Sequence, residues 1–388
     1  MKKMLIIATV PSMIGQFNME NIQLLLDMGY EVHVACNFKD TSIWTTERTK
    51  ELIYRLKELG VRCHQIKFSR SPEDVKSIMH SFRQMDRLVK KENFRFVHCH
   101  TPVAGVISRL VCHRNHVKVI YTAHGFHFYS GAPLKSWLLY YPVEWLCSWW
   151  TDVLITINKE DYRRAKRRHH AKKTVYVPGV GVDTEKFKPD IACREKKREE
   201  LGLKETDIML LSVGELNKNK NHVVVIRALA EMNNKNLHYY IAGQGELKDE
   251  LIQLADNLKI CDQVHLLGYR TDVPELMQAA DIFALPSIRE GLNVSLMEAM
   301  ASGLPCIASR IRGNTDLIAD SNYLVETGNA GDWKQALENM TACVKNGKTT
   351  YGEENRKRMK KYDVLYVNKK MKQIYKGITE GQGSGPEW

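Results

Sequence analysis

The sequence predicts an α/β fold with parallel sheets covered by helices on both faces. Three observations predict it. Short apolar runs of strand length alternate with longer segments of helical period along the whole chain. The alternation restarts near residue 207, after a join rich in Gly and Pro. The chain has 388 residues, enough for two or three domains with substantial cores.

The elements follow in order. Met4–Thr9 reads as a buried strand and Asn18–Met28 as a helix stopped by Gly29. Glu31–Cys36 is the next strand, Thr46–Leu59 a helix, Arg62–Ile66 a strand and Val75–Lys91 a helix. Val97–His100 and Lys118–Tyr121 read as strands. In the second series the strands are Met209–Val213, His238–Ala242, Val264–Leu267, Asp281–Leu285 and Cys306–Ala308, with helices between them. Two such series imply two Rossmann-like domains with the active site in a cleft at strand C-terminal ends. The join falls in VPGVGVDTEKFKPD, residues 177–190, ahead of a charged helix Glu195–Leu201. The expected organisation is a first domain over 1–178 and a second over 179–360. A C-terminal helix and a disordered tail, GQGSGPEW, make up 361–388, and the basic helical segment as a whole runs over Lys357–Tyr375.

Composition narrows the function classes. Apolar residues make up 44% and charged residues 26%, as in soluble globular proteins. The balance of 57 Lys/Arg against 45 Asp/Glu gives +12, which points to acidic partners. No nucleic-acid motif accompanies the charge, so nucleic acid is not expected. Nine cysteines lack a close C-x-x-C pair, and Cys36, Cys99 and Cys306 fall in apolar runs. That suits buried free thiols in a reducing cytoplasm. The start, MKKMLIIATVPSMIG, is too short in its apolar run for a signal peptide and lacks a small-residue cleavage site. The apolar stretch Leu134–Ile157 contains Lys135, Pro142, Glu144 and Asp152, a poor membrane span.

Glu290 and Glu298 carry the most chemistry. They lie eight apart in PSIREGLNVSLMEAMASGLP, residues 286–305. A buried strand runs into a loop with Glu290 and Gly291, and a helix starts near Asn293 and stops at Gly303. Glu290 then stands outside the helix and Glu298 inside it. Unpaired N–H groups at the helix start between them form an anion cradle. Two carboxylates flanking such a cradle suit a ligand with hydroxyls on both sides of a phosphate, as in a nucleotide sugar. A capping arrangement or a solvated face is the plainer reading of two such Glu residues.

The whole run, with ADIFALPS before it and EAMASGLPCIAS within and after it, resembles the E-x7-E motif of retaining glycosyltransferases of family 4, which have the GT-B fold. The resemblance spans residues 1 to about 375 and is strongest in the second half; it implies that the first domain binds the acceptor and the second the nucleotide sugar, and that the last helix crosses back to the first domain. It implies that Glu298 holds the donor ribose and Glu290 the donor hexose. Gly291, Leu292, Asn293 and Val294 would supply the loop and helix start around the diphosphate. In SVGELNKNKNH, residues 212–222, Lys220 matches the family lysine and Gly214 the family glycine; Glu215 stands where an arginine is usual, with Lys218 nearby. A basic residue at this strand-to-helix turn stabilises a leaving diphosphate. In YTAHGFHFYSGAP, residues 121–133, His124 matches the family histidine near the donor hexose, and His127 is a lesser partner. Gly15 matches a glycine of the N-terminal loop, and Gly243, with Gly245, resembles a glycine loop near the nucleotide. His98 and His100, in FVHCHTP, end a strand and face the same side as core or cleft residues. Their spacing invites a metal reading, but no Asp-x-Asp is present and the family needs no metal, so none is expected and no cofactor either.

The resemblance implies a UDP-sugar donor and transfer with retention, by front-face attack on a metal-free donor. The acceptor it implies is a lipid-linked glycan, polyprenyl-diphosphate-bound, of capsular or exopolysaccharide synthesis. The galactosyl- and N-acetylgalactosaminyl-type members are the nearest in pattern. A UDP-sugar 2-epimerase of the same fold, or a non-catalytic assembly protein at the membrane, are the rival readings. Trp137, Trp145, Trp149 and Trp150 precede a basic segment, Lys159–Lys173, with Arg163, Arg164, Arg167 and Arg168. Such a pairing suits an anionic membrane surface, with the protein peripheral at the inner face of the cell membrane. It also fits a buried aromatic helix followed by a solvated basic one.

Overall fold

The computed structural model describes residues 2–71, 73–320, 323–347 and 350–380. The expected tail, 381–388, lies outside them. The chain divides into two compact units, Met1–Val180 with the stretch from Val367 onward, and Gly181–Tyr366.

The first unit holds seven strands: β1 Lys2–Ile7, β2 Tyr30–Cys36, β3 Arg62–Gln65, β4 Phe96–His100, β5 Lys118–Ala123, β6 Val153–Thr156 and β7 Lys173–Tyr176. Their order is β3-β2-β1-β4-β5-β6-β7, and every pairing is parallel. The order reverses direction beside β1, which pairs Ile6 with Val34 on one side and with His98 on the other. Its helices are α1 Pro11–Phe17, α2 Met19–Asp27, α3 Thr46–Glu58, α4 Val75–Glu92, α5 Pro102–Arg114, α6 Leu134–Ser148 and α7 Lys159–Arg168. Side chains along β1 alternate between two cores: Met4 and Ile6 join one, Leu5 and Ile7 the other. Helices therefore cover both faces.

β6 and β7 escape the sequence reading. β6 has only four residues and lies at the end of the apolar stretch Leu134–Ile157, set off from the aromatic segment by Thr151 and Asp152 alone. β7 opens with Lys173, at the end of the basic run, so its charge masks its strand character.

The second unit repeats the plan with β8 Ile208–Val213, β9 Leu237–Ala242, β10 Val264–Gly268, β11 Ile282–Leu285, β12 Cys306–Ser309 and β13 Leu324–Val325. The order is β10-β9-β8-β11-β12-β13, again parallel. Its helices are α8 Ile191–Glu200, α9 His222–Met232, α10 Lys248–Asn257, α11 Val273–Ala279, α12 Val294–Ala301, α13 Asn314–Leu317, α14 Ala330–Lys345 and α15 Thr350–Met359. The order reverses between β8 and β11, so the loops after these two strands meet at the point where α/β sheets bind ligands.

A final helix, α16, runs over Val364–Glu380. The expectation of one helix over 357–375 is corrected: the chain breaks between Met359 and Val364. There Val182 N–H donates to the Tyr362 carbonyl at 2.9 Å, Val364 N–H donates to that of Val182 at 3.0 Å, and Asp363 accepts from Leu365 N–H at 2.8 Å. From Val367 on, α16 buries Val367, Met371, Tyr375 and Ile378 in the core of the first unit.

Candidate active site

In the second unit the turn after β8 carries Gly214 to Lys220, and the loop after β11 carries Glu290 and Gly291. The two are tied together. Ile288 N–H donates to the Asn219 carbonyl at 2.8 Å, and Asn219 Nδ2 donates to the Arg289 carbonyl at 3.0 Å. Ser295 Oγ lies 3.0 Å from the Val213 carbonyl, sharing its one proton between that oxygen and Asn293 Oδ1. Within this frame Lys220 Nζ donates to Glu290 Oε1 at 2.7 Å, an ion pair largely shielded from water. From behind, Arg312 Nε donates to the Glu290 carbonyl at 3.1 Å.

Glycines let the backbones approach. A Cβ on Gly243, at the end of β9, would fall 1.7 Å from the Gly214 oxygen. One on Gly313 would fall 2.3 Å from the Gly291 oxygen. Gly214 itself borders the Lys220 stem, whose Cε would lie 3.1 Å from an added Cβ.

Asn293 is the N-cap of α12, its Oδ1 accepting from Leu296 N–H at 2.9 Å and from Ser295 Oγ at 2.7 Å. Leu292 is buried beside it. The N–H groups of Gly291, Leu292, Val294 and Ser295 find no acceptor among the described residues. This row, at a helix start and next to Lys220, can receive an anion. Glu298 follows just past the first turn of α12. It is half-buried, and no described residue donates a hydrogen bond to its carboxylate. Loss of hydration pushes it up to about 7, against a lowering by Lys186. Glu215 points no cation at this site; it is exposed and accepts from Asn217 Nδ2 at 2.8 Å. Lys218 is exposed too.

In the first unit His124 directly follows β5 and lines a small cavity with Phe17, Asn21, Thr122 and Asn368. Its Nε2 meets His100 Nδ1 at 2.9 Å, and burial holds it down to about 4, so it is neutral at physiological pH. His127 stacks on Tyr140 at 4.4 Å. Gly15 lies inside α1 rather than in a loop: Pro11 starts the helix early. A Cβ there would fall 2.2 Å from the Trp44 ring, so this glycine admits a buried indole.

The sequence reading missed the brace behind His124. Asp161 accepts from Phe126 N–H at 3.0 Å, Glu160 from Ser130 N–H at 2.8 Å, and Arg164 Nη1 donates to the Phe128 carbonyl at 3.1 Å. Arg164 also pairs with Glu160 at 2.9 Å and lies over the Trp137 ring. The expectation that Arg164 faces a membrane is therefore corrected; Arg163, Arg167 and Arg168 are exposed. The Asn158-x-x-Asp161 cap spacing was the available signal. Arg312 was missed as well, because its link to Glu290 is long-range. Among the described residues no group of three or more His, Cys, Asp or Glu side chains is placed to hold a metal ion.

A doubly wound pair of domains, with a Lys–Glu pair and an anion-accepting helix start on the second, defines a GT-B glycosyltransferase. Comparison with known proteins agrees. The family description "Glycosyltransferase Family 4" matches residues 15–186 and "Glycosyl transferases group 1" matches 193–363. EpsD of Bacillus subtilis, named as a glycosyltransferase without a stated substrate, is 36% identical over 98% of this chain and 97% of its own. The Escherichia coli UDP-Gal:α-D-GlcNAc-diphosphoundecaprenol α-1,3-galactosyltransferase is 33% identical over 69% of this chain and 71% of its own. Anabaena HepE, solved with UDP, has a TM-score of 0.77 at 17% identity, covering 97% of this chain and 100% of its own. The chain belongs to glycosyltransferase family 4 and is a glycosyltransferase.

Proposed function

We propose that this enzyme moves a hexose or N-acetylhexosamine, with retention, from a UDP-sugar to a polyprenyl-diphosphate-linked glycan in cell-surface polysaccharide synthesis. The observation that carries this reading is the Lys220–Glu290 pair at 2.7 Å beside the row of unpaired N–H groups. Lys220 and that row receive the diphosphate. Glu290 takes up the hexose hydroxyls, and Glu298, short of hydrogen-bond donors, takes those of the ribose. His124 is a further proposed hexose contact, on the resemblance of its motif to the family's histidine motif. The sugar's bond to the diphosphate oxygen breaks as its bond to the acceptor oxygen forms on the same face. The acceptor proton passes to the departing diphosphate, whose charge Lys220 and the helix-start amides stabilise. Gly15 remains a proposed donor contact on the resemblance of its segment to the family's N-terminal glycine loop. No metal enters this scheme.

The E. coli relative's name supports a UDP-sugar and a lipid-linked acceptor. A Campylobacter jejuni relative, 34% identical over 45% of this chain and 47% of its own, is named as an N-acetylgalactosaminyltransferase acting on a diphospho-undecaprenol glycan. α6 exposes Leu134, Leu138 and Leu146, Trp149 just after it is exposed too, and α7 exposes Arg163, Arg167 and Arg168. That combination supports docking at an anionic inner membrane surface. Among the described residues no helix is long and apolar enough to cross a membrane.

The test is a screen of UDP-sugars against polyprenyl-diphosphate glycans, read by mass spectrometry with and without EDTA. A glycolipid heavier by one sugar, formed equally in EDTA, is expected. An epimerised nucleotide sugar with no glycolipid would identify an epimerase instead. Loss in EDTA restored by magnesium or manganese would overturn the metal-free scheme.

A further inference from the structure

β4 ends in two histidines that the scheme above does not use. His98 is satisfied at both nitrogens: Nδ1 meets the Tyr375 hydroxyl at 2.9 Å and Nε2 the Thr122 hydroxyl at 2.8 Å. His100 is satisfied at one. Its Nδ1 meets His124 Nε2 at 2.9 Å, while its Nε2 is buried and has no hydrogen-bond partner among the described residues. The His98 ring lies 4.2 Å from that of His100, and the Phe17 ring lies 5.9 Å from that of His124, so both members of the pair are packed in place.

Between two neutral imidazoles one nitrogen must donate and the other accept. Burial keeps both neutral, His124 at about 4 and His100 well below the ordinary value. Suppose His124 Nε2–H donated. His100 would then carry its own proton on Nε2, where a buried N–H has no acceptor. Suppose instead that His100 Nδ1–H donates. The unsatisfied atom is then a bare lone pair. Orphaned buried N–H groups are the rarer and costlier defect.

We infer that His100 is a positioning residue that donates Nδ1–H to Nε2 of His124 and so fixes His124 as its Nδ1–H tautomer. His124 Nδ1, which has no partner among the described residues, becomes a fixed hydrogen-bond donor. Its ligand is an oxygen acceptor, a sugar hydroxyl of the donor. This last step rests on the proposed placement of His124 at the hexose. The reverse tautomer would present a lone pair there and could only accept.

Nitrogen-15 NMR of histidine-labelled full-length protein at neutral pH reads the tautomer directly, with His124→Ala assigning the signals. A protonated Nδ1 and a bare Nε2 on His124 are expected. His100→Asn can still donate to His124, whereas His100→Asp, of the same shape as Asn, can only accept once its carboxyl is ionised, so the two are compared above the pH at which that carboxyl loses its proton. Asp should move the proton to Nε2 and lower kcat by roughly tenfold or more, the loss of one such hydrogen bond. Asn should keep the tautomer and recover what Asp loses. An Nε2–H tautomer in the wild-type protein would overturn the role of His100 whatever the activity. So would equal losses in the Asn and Asp variants with the tautomer unmoved. Undiminished transfer by His124→Ala would instead overturn the placement of His124 at the sugar.

Discussion

Glu298 sits inside α12 with its carboxylate held partly out of water and no donor turned toward it. Burial raises it from its ordinary 4.5 to about 7. The sign of the consequence is fixed. In the free protein the carboxyl stays protonated in the fold where the unfolded chain would ionise it, so its contribution to stability is present at low pH and lost as pH rises from 4.5 to 7. In the ribose-binding role proposed for it, Glu298 accepts best when ionised, so donor binding would run the other way. UDP affinity should strengthen as pH climbs through 7, by up to about tenfold per unit below the transition. Titration calorimetry at pH 6 and pH 8 should show this in wild type and a flat response in Glu298→Gln. Glu298→Ala should weaken UDP by roughly tenfold or more, the usual cost of hydrogen bonds to a charged group. Unchanged UDP binding in the Ala variant would remove Glu298 from the ribose site.

At the scale of elements, α6 and α7 present a divided surface. Arg164 belongs to the brace under the His124 loop, with only 14% of its side chain exposed, while Arg163, Arg167 and Arg168 project into solvent. Replacing those three by Glu should cut binding to anionic vesicles by at least roughly a hundredfold, counting only about 1 kcal/mol for each Arg lost and nothing for the repulsion of the added carboxylates. The fold should be unaffected. Arg164→Glu should instead lower the melting temperature, because it breaks the ion pair and the bond to the Phe128 carbonyl. Co-sedimentation at low salt reads the first effect and calorimetry the second; wild-type protein that ignores anionic vesicles would end the membrane reading. This helix pair also marks what a sequence can disclose. α12 was legible because its cap, Asn293, and its stop, Gly303, are local signals flanking an apolar run. Lys220 and Glu290 were legible as a motif, though not as partners at 2.7 Å, since seventy residues separate them. β7, the α15–α16 break and the brace of Asp161 under Phe126 depend on contacts between distant segments. Charge and period carry no record of those.

At the scale of the whole molecule, the first unit is built from both ends of the sequence. Val367, Met371, Tyr375 and Ile378 of α16 are buried in its core, and Tyr375 holds His98. Burying such side chains contributes about 1.5–3 kcal/mol each. Four of them rival the total stability of an ordinary domain, about 5–15 kcal/mol. A chain ending at Asp363 should therefore lose the cooperative thermal transition of the first unit while that of the second persists. Calorimetry with limited proteolysis checks it, and an intact first transition would show that α16 is dispensable there. The same interleaving reverses the order in which the protein can mature during translation. The second unit is one continuous stretch, Gly181–Tyr366, and can close as soon as it leaves the ribosome. The first unit emerges earlier yet must wait, its hydrophobic face unsealed and open to chaperones, until the final residues of α16 have been synthesised.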